Sequence, residues 1–436
     1  MEEKSTRRVF LTTIGAAGAV SLAGCTSFGG GSDDAPASPG SETTGNGDNS
    51  NGTDGNSNGT GTDSDNKNKE VSGKSLSTFS VEEFKNEEWK TIEGSVKAGI
   101  GDAVHGGQSV ELSPKNNANE KMAVVRHEYR NRNRLDLSKQ DLALAAKVKN
   151  PTDQRIKVRA VIRTAGENLT SKRQFPANFN GWARFDLGYE DVVDGTALDK
   201  VVGIDIQFNR GGKDFTVLVD DLRLIPKANK GKVMIQLDDA HISQYENAFE
   251  ILKDSGVPAS VGVIPNSLRN DDRISFDQLK EMANNGIEVN THGKWRAAEV
   301  NKQVEKENMK QAKNYVKELG FKEGAEHFIY PYGQMDSHTL KNAKDVFSSA
   351  YVQGGMPNNA KNPVNPQFIS RIDGTAISGS RDIINAAEAY NQLAVIYFHE
   401  VGDYDSGSAI SANQFKEQID FIKSKDMDVI VPSDLF

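Results

Sequence analysis

The chain has 436 residues, and its 52 Lys+Arg against 61 Asp+Glu give a formal net charge of −9. That length admits two or three domains. A hydrophobic content of 36%, below the ~45–50% of ordinary globular chains, predicts that part of the chain lacks a core. Mild acidity without a basic block excludes nucleic acid as an expected partner, since phosphate binding needs clustered Lys and Arg. The single cysteine excludes intrachain disulfides, cysteine zinc fingers and iron–sulfur clusters, and leaves open a metal held by Asp and His.

The N-terminus reads Thr6-Arg7-Arg8-Val9-Phe10-Leu11, followed by an apolar run from Ile14 to Ala23. A charged stretch before an apolar run too short to span a bilayer fits a cleaved signal. The paired arginines before Phe-Leu resemble a twin-arginine export signal. Leu22-Ala23-Gly24-Cys25 resembles a lipobox, in which Cys25 is lipidated and becomes the new N-terminus. Residues 1–25 are thus read as a twin-arginine-type lipoprotein signal. The expected location is outside the cell membrane, at the cell surface, held by a lipid anchor, and a second chain or signal is needed for durable attachment. Between Gly29 and Gly73 the apolar residues other than proline are Ala35, Ala37 and Val71. Such a composition cannot repay ordering entropy, so residues 26–75 are expected to be a disordered tether. Asn51-Gly-Thr53, Asn58-Gly-Thr60 and Asn168-Leu-Thr170 fit the N-glycosylation pattern.

Residues 76–228 show period two. Leu142, Leu144, Ala146 and Val148 alternate with other residues, as do Ile156, Val158, Ala160 and Ile162. Val202, Ile204, Ile206 and Phe208 repeat the pattern, followed by Phe215, Val217 and Val219. Turn signals such as Asn150-Pro151-Thr152-Asp153 and Gly211-Gly212 separate the runs, which predicts half-buried antiparallel strands and a β-sandwich. Gly181–Leu187 and Val219–Leu224 resemble parts of jelly-roll carbohydrate-binding modules. Trp89 and Trp182 are read as core residues in preference to sugar platforms. Asp220 and Asp221 either hold a structural Ca²⁺ or cap a turn.

From residue 229 onward the pattern alternates strand and helix. Strands are predicted at Lys232–Leu237, Ala259–Ile264, Ile287–Thr291, Phe328–Tyr330, Ala350–Gln353 and Leu393–Phe398. Helices are predicted at Gln244–Lys253, Phe276–Asn284, Lys302–Leu319, Ser337–Ala343, Arg381–Tyr390 and Ala412–Lys423, with Gly256, Gly286 and Gly320 as stop signals. Such alternation calls for a parallel sheet with right-handed crossovers, closed in an α/β distorted (β/α) barrel. Asp238 and Asp239 follow the first strand, His292 the third, Pro331-Tyr332-Gly333 the fourth and His399-Glu400 the sixth. Each alone has an ordinary reading as cap, polar residue or turn. Together they stand at the strand C-termini, the face on which such barrels assemble active sites, and they supply metal-ligand and acid/base chemistry.

Met234-Ile235-Gln236-Leu237-Asp238-Asp239-Ala240 resembles the Thr-Phe-Asp-Asp-Gly motif of the polysaccharide deacetylases of carbohydrate esterase family 4, the NodB homology domain. Gly286–His292 is similar to the approach to that family's His-Thr/Ser-x-x-His motif. Ile329–Gly333 is similar to its third motif, and Val395–His399 to its Leu-x-His motif. The resemblance spans Gly231–Phe436 and implies metal-assisted removal of acetyl groups from an N-acetylated polysaccharide. It implies a divalent metal, zinc, held by Asp239 and His292. Asp238 would be the general base, the backbone N–H of Tyr332 part of the oxyanion site, and His399 the acid for the departing amine. No protein partner is predicted. Arg371 reads equally as an orienter of Asp238 and as a surface charge.

Three positions depart from the family's pattern. Arg296 stands where a second ligand His is expected, Ala240 replaces Gly, and Tyr330 replaces the Arg often found before Pro-Tyr. His241 is a candidate substitute ligand. The readings are therefore two: an active deacetylase of an extracellular or envelope glycan, and a catalytically weakened, NodB-like glycan-binding surface lipoprotein.

Overall fold

The computed structural model describes residues 73–115, 121–129, 133–294 and 301–436. The expected signal stretch with Cys25, nearly all of the expected tether and Arg296 lie outside the described residues. Lys69–Phe436 form one compact unit.

Its first half is antiparallel β. The strands are β1 (Lys74–Ser77), β2 (Trp89–Glu93), β3 (Ser95–Ile100), β4 (Ser109–Ser113), β5 (Met122–Glu128) and β6 (Gln140–Val148). They continue with β7 (Ile156–Thr164), β8 (Leu169–Phe175), β9 (Gly181–Leu187), β10 (Val201–Asn209) and β11 (Val217–Pro226). One sheet runs β3-β4-β11-β6-β9 with β1 on β11, and the other runs β2-β5-β10-β7-β8. Alternation puts one face of each strand inward, and Leu112, Leu144 and Val219 of the first sheet share a core with Val125, Val158 and Ile206 of the second. Trp89 is buried as expected, and its indole N–H donates to Ser77 Oγ at 2.8 Å. Trp182 is not: it is partly exposed and donates to Asp102 Oδ1 at 2.8 Å. Its strand alternates, and the indole falls on the outer face beside Lys147. The Ca²⁺ reading of Asp220 and Asp221 gives way to capping. Asp220 accepts from the N–H groups of Val104 and His105, and Asp221 pairs with Arg184 and Arg223.

The second half is a barrel. Parallel strands β12 (Gly231–Leu237), β13 (Ala259–Val263), β14 (Ile287–His292), β15 (His327–Ile329), β16 (Ser349–Gln353), β18 (Ile369–Asp373) and β19 (Gln392–Phe398) close through pairing of β19 with β12. The two-residue β17 (Asn358–Asn359) lies antiparallel on β19, and β20 (Met427–Ile430) lies parallel on β12. After the short α1 (Val81–Lys85) in the first half, the barrel helices are α2 (Glu250–Ser255), α3 (Phe276–Asn284), α4 (Lys302–Glu318), α5 (Ser337–Val346), α6 (Ile377–Ala389) and α7 (Ala412–Lys423). Gln244–Phe249, expected as plain α-helix, forms a π-helical turn leading into α2. Gly256 ends α2 at φ +63°, the left-handed cap that a side chain would strain.

The two halves share a core, which continues from the sheets into Phe328, Tyr330, Phe347 and Tyr390. Buried polar groups join them as well. Arg173 on β8 donates to the carbonyls of Pro357 and Met356 and to Asn358 Oδ1, at 2.7, 3.2 and 3.1 Å. Asp141 on β6 accepts from Asn359 at 2.8 Å and Gln392 at 3.1 Å. Burial pulls the Arg173 guanidinium down to about 10 and pushes Asp186 beside it up to about 6.

Candidate active site

The site is built where β12, β14, β18 and β19 end. The Asp238 N–H donates to Phe398 O at 2.8 Å, extending the β12–β19 ladder by one residue. The chain then turns sharply: Asp239 and Ala240 both have positive φ, +70° and +50°. Two successive non-glycine residues in the left-handed region store backbone strain, a feature that clusters at functional sites. Asp238 points into the barrel and is 2% exposed, whereas the Asp239 side chain is 35% exposed at the mouth.

His292 closes β14. Its Nδ1 lies 2.7 Å from Gly293 O, and a carbonyl only accepts, so Nδ1 carries the hydrogen and Nε2 is the bare nitrogen of the neutral ring. That Nε2 is 3.6 Å from Asp239 Oδ1 and 4.0 Å from Asp238 Oδ2. His399 follows β19 and sets its Nε2 3.9 Å from the same Asp238 Oδ2. Tyr332 lies in the turn after β15 with φ +57° and is 52% exposed at the same rim. The structure thus converges Asp238, Asp239, His292 and His399 on one spot, with Tyr332 on the rim above.

Arg371 on β18 resolves its two readings. It is 2% exposed and grips Asp238 with two hydrogen bonds, Nη1 to Oδ1 at 2.7 Å and Nη2 to Oδ2 at 2.9 Å. Nη1 also reaches Gln236 Oε1 at 3.2 Å, and the guanidinium lies 4.5 Å from the Tyr397 ring centroid. Burial alone would raise the Asp238 pKa. The Arg371 charge and its paired hydrogen bonds, with His292 and His399 adding to them, outweigh burial and hold it below the usual carboxylate value. Sequence reasoning missed Gln244, whose Nε2 donates to both Asp238 O and His399 O at 2.6 and 2.8 Å, tying the first and last barrel strands together under the site. No local signal marks it, since Gln244 stands among the polar Ser243, Glu246 and Asn247.

Asp239 Oδ1 and His292 Nε2 are close enough to share one cation at ordinary bond lengths of about 2.1 Å. Among the described residues, no group of three or more His, Cys, Asp or Glu side chains is arranged to hold a metal ion. His241 is not the substitute ligand. Its Nδ1 is 2.8 Å from Ser243 Oγ and its ring packs edge-on against Tyr404, because the turn at Asp239 and Ala240 redirects the chain. Among the described residues the candidate donors are thus Asp239 and His292, a pair that fits a cation completed by water.

Residues 226–347 match the sequence profile of the polysaccharide deacetylase family. YxkH of Bacillus subtilis (strain 168) is 27% identical over 120 residues, covering 27% of this chain and 43% of that protein. The chain therefore spans less than half the length of this curated relative. Among solved structures, the deacetylase PplD of Streptococcus pyogenes in complex with acetate is 22% identical, covers 32% of this chain and 62% of that one, and has a TM-score of 0.30. A carbohydrate esterase family 4 pseudoenzyme from Bacillus anthracis is 12% identical, covers 48% and 66%, and has a TM-score of 0.34. Similarities at these TM-scores assign no role to any residue here. The likeness to polysaccharide deacetylases thus lies in residues 226–347, which begin just before β12 and run through α5.

Proposed function

We propose that the protein is a metal-dependent hydrolase that removes N-acetyl groups from an extracellular or envelope polysaccharide, exported and anchored through a lipidated Cys25. The observation that carries this reading is the buried Asp238 carboxylate, gripped at both oxygens by Arg371 and faced by His292 and His399 at 4.0 and 3.9 Å. A carboxylate so fixed keeps one orientation and rests ionised, ready to accept the proton of a water that attacks the acetyl carbon. Asp239 and His292 would hold a divalent cation, zinc on the family resemblance. Such an ion supplies polarisation of the acetyl carbonyl and a more acidic water. His399 stands at the barrel mouth, 29% exposed, where it reaches the departing amine nitrogen and protonates it. The Tyr332 backbone N–H would donate to the developing oxyanion.

The test is acetate release by the full chain in detergent from N-acetylglucosamine polymers, run with Zn²⁺, Co²⁺ and chelator, beside Asp238→Asn. Metal-dependent release that Asp238→Asn abolishes supports the hydrolase. The second reading, a weakened glycan-binding protein, is favoured by the two-ligand donor set among the described residues. It predicts no release with either metal and no metal retained after dialysis.

A further inference from the structure

The alternation of β7 that buries Ile156, Val158, Ala160 and Ile162 turns Lys157, Arg159 and Arg163 to the opposite, outward face. Register sets Arg159 beside Lys172 of β8 and Gln207 of β10, and Lys157 beside Gln174. Four cations thus share one outer sheet face in a chain whose net charge is −9. The acids nearby are largely committed. Asp205 is held by Arg126 through two hydrogen bonds at 2.7 and 2.8 Å, leaving Arg163 at 3.8 Å, and Glu190 pairs with Lys172. Neither Lys157 nor Arg159 forms an ion pair among the described residues; Arg159 donates to Thr170 Oγ1 at 3.2 Å. Their spacing follows from sheet geometry, about 5 Å between strands and about 7 Å between alternate residues.

We propose that this face binds an anionic polysaccharide, with sugar carboxylates on Lys157 and Arg159, a further carboxylate exchanging with Glu190 on the half-exposed Lys172, and hydroxyls on the amides of Gln174 and Gln207. Charge complementarity selects the anion, and the amides interleaved with the cations select a polyhydroxylated chain over a phospholipid surface. Resting on the deacetylase reading above, the inference narrows the substrate to an acidic, N-acetylated glycan.

The test is affinity electrophoresis of the full chain in detergent through gels holding hyaluronate or polygalacturonate, with neutral glycol chitin as the comparison. Retardation by an acidic polymer that weakens with salt is expected. The triple variant Lys157→Gln/Arg159→Gln/Lys172→Gln should bind about tenfold more weakly or worse. Lys97→Gln/Lys213→Gln/Lys341→Gln, which removes equal charge at exposed positions elsewhere, should bind like the parent. Asp238→Asn should also bind like the parent, so a failure of acetate release leaves this readout intact. Four results would overturn the proposal: retardation by neither acidic polymer, equal retardation by glycol chitin, no loss in the first triple variant, or tighter binding to phosphatidylglycerol vesicles or DNA than to hyaluronate.

Discussion

Arg371→Met isolates the contact on which the site's electrostatics rest. Arg371 and Asp238 are each 2% exposed, and their two hydrogen bonds of 2.7 and 2.9 Å leave the carboxylate no contact with solvent to replace them. Removing the guanidinium leaves a buried charge facing Met, an arrangement that costs about 3–5 kcal/mol. The imidazoles of His292 and His399, at 4.0 and 3.9 Å, remain as polar neighbours of the stranded carboxylate, which places the expected loss at the lower end of that range. The comparison is Lys416→Met, which breaks a 2.6 Å pair with Asp420 whose side chains are 58% and 55% exposed. Solvent screens that pair, so its loss should be below about 0.5 kcal/mol. Urea unfolding followed by far-ultraviolet circular dichroism at neutral pH reads both, provided the slopes agree with the parent's. Asp238→Asn/Arg371→Met removes the stranded charge along with its partner and should recover part of the stability. A loss below about 1 kcal/mol in Arg371→Met, or a double variant no more stable than the single one, would show that Asp238 is not held as an ion, and the base assignment would fall with it.

Two further outcomes follow from buried contacts. Burial pushes His327, at the bottom of the barrel, down to about 4, and its ring nitrogens meet Ser349 Oγ at 2.8 Å and Ser433 Oγ at 3.1 Å. A folded pKa below the unfolded value of about 6.5 means that the neutral ring stabilises the fold: the contribution is complete above about pH 6.5 and is lost as pH falls toward 4, at most about 3 kcal/mol. The urea midpoint of the parent should therefore fall more steeply over that interval than that of His327→Gln, and parallel profiles would refute the assignment. Gly262 on β13 admits no side chain without moving the site, since an added Cβ would lie 2.7 Å from Ile329 Cδ1 and 3.3 Å from His292 Cβ and Cδ2. Gly262→Ala should cost about 1–3 kcal/mol by overpacking. It should also depress acetate release and Zn²⁺ retention at temperatures where the protein remains folded; undiminished release would show that the position of His292 is not critical.

What could be read from the sequence, and what could not, divides by the range of the physics involved. Strands β6, β7 and β10 and helices α3 and α7 follow from periodicity within ten or so residues, and their predicted bounds agree closely with the structure. β18 escaped because Ile369-Ser370-Arg371-Ile372-Asp373 buries a serine and an arginine, so it reads as a loop until the Arg has a partner. That partner lies 133 residues away, and no local pattern announces it. His241 shows the converse. Two residues past Asp239 it looks like a ligand by proximity, yet the positive φ of Asp239 and Ala240 sends it to Ser243. Trp182 went astray for a related reason, since alternation names two faces without saying which is inside. The outer face of β7 carries the same lesson further. No basic block exists in the sequence, because Lys157, Arg159 and Arg163 are separated by apolar residues, most of which face the core, and Lys172 arrives only through strand pairing. A net charge of −9 therefore excludes a basic chain without excluding a basic surface, and the partner has to be sought from the sheet register, where like charges from separate strands come to stand side by side.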